Sequence, residues 1–179
     1  MSRQTLAASL GAAAMLFVSA LPALPHATLE VAQAPIKASY KGVVRVGHGC
    51  EGSPTLKVRV RIPEGVIAVK PVPKAGWTLE TVRGNYAKPA EYHGQQLTEG
   101  VREIVWTGKL LDEHFDEFGF RGFLSASLEP GTTLYFPVVQ ECEKGAHRWI
   151  EIPAAGKSSH DLKEPAPGVK LLPAGAGAH

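Results

Sequence analysis

Leu56, Val58, Val60 and Ile62 alternate with Lys57, Arg59 and Arg61, the most regular pattern in the chain. A side-chain period of two puts the first set on one face and the second on the other, which predicts a half-buried strand. Pro63-Glu64-Gly65 ends it. Weaker versions of the same period predict strands over Thr28–Gln33 and Gly42–His48, and a proline-punctuated edge strand over Val66–Val72. Alternation resumes at Trp77, Leu79 and Thr81 and again over Arg102–Thr107, where Ile104 and Trp106 share a face. Phe118, Phe120 and Phe123 lead a strand through Leu128; Thr133–Gln140 follows, and Cys142–Ile152 completes a hairpin. Residues 84–100 are polar and hold Gly84, Pro89 and Gly94, which predicts a loop. Leu110–Glu117 is the one stretch that suits a helical turn.

Short strands with Gly/Pro turns and almost no helix predict an all-β fold, an antiparallel β-sandwich of immunoglobulin or cupredoxin type. One domain is expected over 26–153. From Pro153 onward Pro, Ala, Gly and Lys dominate, so 154–179 is expected to be a flexible tail.

The first 25 residues break the pattern. Arg3 gives a basic start, Leu6–Leu21 is an apolar run, and Pro22 and Pro25 interrupt it. This predicts a secretory leader over 1–25, and a periplasmic or secreted protein that touches the membrane only if the leader is retained. A cut before His26 would make that histidine residue one. Ala27 also suits the position before a cut, and cleavage there would remove His26, so the terminus stays open.

Charge narrows the functional classes. The net charge of +2 falls to +1 when Arg3 leaves with the leader, and no basic run is interleaved with aromatics, which excludes a nucleic-acid partner. No nucleophile motif supports a hydrolase, so no enzyme activity is expected. The two cysteines, Cys50 and Cys142, are expected to form one disulfide in an exported protein. If Glu143–Ala146 is the hairpin loop, Cys142 faces His147, and Trp149 shares the face of His147. The disulfide would then gather His48, Glu51, His147 and Trp149 in one neighbourhood.

His26-Ala27-Thr28-Leu29 after a leader, Glu51, Gly76-Trp77-Thr78, Phe136-Pro137 through Gln140, and Trp149 together resemble the YcnI-like family of exported copper-binding domains. The resemblance spans roughly residues 26–153. It implies a Cu(II) site made by the amine and imidazole of His26 and the carboxylate of Glu51. Trp149 would stand beside the ion as a shield, and His48 and His147 are further candidate ligands. The expected role is copper delivery or homeostasis, with the copper ion and another envelope copper-handling protein as partners. Three alternatives stand beside it. A blue-copper electron carrier would need Cys142 as a thiolate. A histidine-brace oxygenase would need a second internal imidazole from His48 or His147. A metal-free adhesion module would need neither.

Overall fold

The computed structural model describes residues 26–175; the expected leader lies outside them. Twelve strands run in chain order. They are β1 (Thr28–Leu29), β2 (Gln33–Pro35), β3 (Ala38–Val46), β4 (Thr55–Arg61), β5 (Val66–Pro71) and β6 (Thr78–Tyr92), then β7 (Gln95–Leu110), β8 (Asp116–Leu124), β9 (Thr133–Tyr135), β10 (Val138–Cys142), β11 (Ala146–Trp149) and β12 (Gly168–Leu172). Sheet one has the order β1-β3-β8-β5, and sheet two β11-β10-β4-β7-β6. A small third sheet, β2-β12-β9, adds the only pair of named strands that run parallel among the described residues, β2 with β12.

The alternation of β4 does what its pattern requires. Val58 and Val60 are fully buried while Arg59 and Arg61 are not, and Val60 sits opposite Ile104 on β7. Sheet one contributes Val44, Val46, Phe118 and Phe120, and Trp106 and Phe136 fill the space beside them. Gly42 makes room for Phe120: a Cβ there would lie 2.2 Å from the ring. Tyr40 closes one side of this core, its hydroxyl donating to the Val31 carbonyl at 2.9 Å.

Four expectations are corrected. Residues 84–100 form no loop but the distal half of a long β6–β7 hairpin that turns at His93-Gly94, both with positive φ. Its polarity reflects an edge strand whose side chains are mostly exposed, and Pro89 falls where the ladder is already broken, between Asn85 and Ala90. Leu110–Glu117 holds no helical turn: β7 ends at Leu110, a tight turn follows with the His114 amide on the Leu111 carbonyl, and β8 begins at Asp116. The strand after Phe118 stops at Leu124 rather than Leu128.

The tail is the fourth. Gly168–Leu172 forms a strand between β2 and β9, with Val169 and Leu171 in the core, so the folded domain continues well past Pro153. Two apolar residues at the right parity are enough when their neighbours supply the ladder, however polar the approach. Before it, a single 3₁₀ turn spans Ser159–Asp161, capped by the Ser158 side chain. No helix of the described residues is long and apolar enough to cross a membrane.

Candidate metal centre

The pairing of β1 with β3 fixes where the described chain starts. Thr28 lies opposite Arg45 and Leu29 opposite Val44, so continuing that register two residues back sets His26 level with Gly47. The segment after β3, which carries His48, Gly49 and Cys50, thus begins beside His26. Cys50 is bonded to Cys142 on β10, 92 residues away, with Cα atoms 5.9 Å apart, as the cysteine count predicts. That bridge ties the segment to the β10–β11 hairpin.

The hairpin register differs from the expected one by one pair. Gln140, not Cys142, stands opposite His147, and Val138 stands opposite Trp149. Because the shift is two residues along β10, the parity of the faces is unchanged. His147 and Trp149 still share a face.

Four aromatic rings follow one another here. His26 and Trp149 have centroids 5.4 Å apart, Trp149 and His147 stack at 4.8 Å with planes 27° apart, and His147 meets His48 edge-on at 5.9 Å. Trp149 is buried, and the three imidazoles are partly exposed. Four of the expected site residues are therefore brought together.

Glu51 stands one residue beyond the bridge and outside this ring series, with its side chain exposed. It occupies an unusual backbone position. Cys50 and Ser53 exchange both backbone hydrogen bonds, at 3.0 and 2.9 Å, around Glu51 (φ 49°) and Gly52 (φ 80°). Two positive φ values make this a tight mirror-image turn, whose first corner favours Asn or Gly and costs other residues of order 1–2 kcal/mol. The turn is fixed on both sides: Cys50 by its disulfide, and Ser53 by a hydroxyl that donates to the Lys144 carbonyl and accepts from the Lys144 amide.

Two residues outside the expected set organise the site. Gln140 is 2% exposed, and its amide nitrogen donates to the His48 carbonyl at 2.7 Å and to Thr55 Oγ1 at 2.8 Å, while its oxygen accepts from Trp149 Nε1 at 3.3 Å. One side chain thus ties His48, at one end of the ring series, to Trp149 within it. A glutamine at an inward position between Val138 and Cys142 was a readable signal, since buried amides are kept where they satisfy several partners.

Glu164 is the other. Its Oε1 accepts from His147 Nδ1 at 2.9 Å and its Oε2 from the Arg148 amide at 3.1 Å. Burial pushes this carboxyl up, but the His147 and Arg148 hydrogen bonds, with the charges of His147 and Lys163, outweigh it and hold it below the usual carboxylate range. Glu164 itself is held against Glu151: its carbonyl accepts from the Glu151 amide at 3.1 Å, and its amide donates to the Glu151 carboxylate at 2.6 Å. No sequence signal pointed to it, because it lies in a polar stretch whose fold depends on β12.

Among the described residues no three His, Cys, Asp or Glu side chains are grouped to hold an ion. The expected copper site asks for only two, His26 and Glu51, because the α-amine of a processed His26 would be the third donor. With both cysteines bonded, neither offers a thiolate.

A search of curated proteins found no match. Among solved structures, an uncharacterized protein from Nocardia farcinica, described as having an immunoglobulin-like fold, is similar at 22% identity with a TM-score of 0.59. The match covers 82% of this chain and 98% of that one, and it supports the β-sandwich architecture. Residues 26–171 match the family described as "Domain of unknown function (DUF1775)", a span that starts at His26 and takes in both the ring series and β12. The chain belongs to this family, the YcnI-like family to which its motifs pointed.

Proposed function

We propose that this protein binds one Cu(II) ion outside the cytoplasm, through the amine and imidazole of a processed His26 and the carboxylate of Glu51, and acts in copper delivery or tolerance. The observation that carries the reading is the strained turn at Glu51. An exposed carboxylate in a conformation that suits asparagine or glycine better, on a turn fixed by a disulfide and a serine, is a residue kept for something other than stability.

The donor chemistry agrees. Cu(II) stands at the top of the divalent affinity order and favours tetragonal nitrogen and oxygen sites. A terminal amine of pKa about 7.7–8.0 gives up its proton to the metal far more easily than lysine. Trp149 lies against His26 with its N–H already donated to Gln140, so its role is to exclude water from one side of the ion.

The test compares the processed protein with one that carries a single glycine before His26. The processed form binds one Cu(II) and its tryptophan fluorescence is quenched at one equivalent. The extended form loses most of that affinity, as does His26→Ala, and Glu51→Gln loses less. Binding weakens as pH falls below about 7, where protons compete for amine and imidazole. Equal affinity of the extended and processed forms removes the amine from the ligand set.

A further inference from the structure

We propose that His48 and His147 form a second metal site, distinct from the one at His26 and specific for a borderline divalent ion such as Cu(II) or Zn(II). The argument starts from the ring nitrogens. His147 Nδ1 is 2.9 Å from a carboxylate oxygen of Glu164, and His48 Nδ1 is in hydrogen-bond contact with the Gly49 carbonyl. Both partners can only accept, so each Nδ1 carries the proton. In each neutral ring the lone pair then sits on Nε2. An imidazole whose Nδ1–H is given to a carboxylate or a backbone carbonyl is the arrangement that orients a metal-ligating histidine and raises its basicity. Here two such rings are neighbours.

Their separation fits one ion. With a metal–nitrogen bond of about 2.0 Å and a ring centroid about 1.1 Å behind the nitrogen, two imidazoles on one ion stand at most about 6.3 Å apart. The observed 5.9 Å lies inside that limit, so one ion can bridge the rings once both Nε2 atoms turn into the space between them, and a closing movement of about 1 Å then brings the nitrogen–metal–nitrogen angle near tetrahedral. Both rings are partly exposed, so water can complete the shell.

The surroundings restrain each ligand. Gln140 holds the His48 carbonyl, the Cys50–Cys142 bridge holds the next turn, and Trp149 stacks on His147. Glu164 reaches His147 because residues 164–166 are bonded back to Glu151. The pair does not use the His26 amine, so it stands or falls apart from the copper reading above. Two side chains bind more weakly than a chelating terminus with a carboxylate, which makes this the site filled second.

The experiment uses the full mature protein and the form with one glycine before His26, each titrated with Zn(II) alone. Nitrogen-15 imidazole NMR reports which Nε2 atoms take the metal, and a thermal melt of every variant reports folding. Expected in the extended form are one bound Zn(II), shifts of the His48 and His147 Nε2 signals, and no shift of their Nδ1 protonation. His48→Gln and His147→Gln each weaken binding by at least about tenfold, and Glu164→Gln weakens it by about tenfold through loss of ring orientation. Unmoved Nε2 signals at saturating Zn(II), or full affinity in a folded His48→Gln or His147→Gln protein, overturn the proposal. If the processed form alone binds and both glutamine variants leave that binding intact, the pair is refuted and the His26 reading stands. If the two forms bind alike and the variants abolish it, the reverse holds.

Discussion

Glu51 sets stability against binding at a single residue. Its left-handed backbone is one that asparagine adopts more readily, so Glu51→Asn should stabilise the fold by about 1 kcal/mol, or about 2–4 °C in melting temperature. The same change should weaken Cu(II) binding. A variant that gains no stability would show the turn to be unstrained, and one with unaltered copper affinity would remove the carboxylate from the site. Tyr40 gives a pH-dependent counterpart. Burial pushes its phenol well above the ordinary value, so the folded state favours the neutral form. The contribution is complete below about pH 10 and is lost as pH rises beyond it, at a slope approaching about 1.4 kcal/mol per pH unit. Urea midpoints of the wild type and Tyr40→Phe at pH 9, 10 and 11 should therefore converge at the alkaline end. Curves that stay parallel would mean that Tyr40 ionises no later in the folded protein than in the unfolded one.

At the scale of elements, the strands that sequence made legible are those with one wet and one dry face. β4 and the Ile104–Trp106 part of β7 follow this rule, and so does β8, where Phe118 and Phe120 point inward. The outer half of the β6–β7 hairpin was illegible because it has no dry face to alternate with, and its turn formers fit a loop equally well. His147 and Trp149 could be placed on one face from parity alone, whereas the one-pair shift in register depends on where the chain turns. Close packing gives this scale its own test. Gly42 on β3 lies directly beneath the Phe120 ring, so Gly42→Ala should cost about 1–3 kcal/mol although both residues suit a strand. Chemical denaturation would measure it, and a cost near zero would mean that the ring yields easily.

For the whole molecule, closure depends on its last strand. Removing everything after Pro165 takes away β12 with Val169 and Leu171, each worth about 1.5–3 kcal/mol of burial, and uncovers β2 and β9. It should lower stability by several kcal/mol and free Glu164 from its anchorage, loosening His147 as well. A melting temperature unchanged by that truncation would show β12 to be dispensable. Composition hid this strand because Gly168–Leu172 is five residues long within a stretch of Pro, Ala, Gly and Lys, and its partners lie over thirty and over a hundred residues upstream. The parallel pairing of β2 with β12 also bears on how the protein is born. The paired Gln33 and Lys170 are 137 residues apart, so the strand that completes the sheet is synthesised long after the partner it joins. A sheet closed by so distant a pairing gains little from folding early and must wait until β12 has been made. Until then the segment after His26 has no complete fold to join, and the site it helps to form comes into being only once β12 is in place.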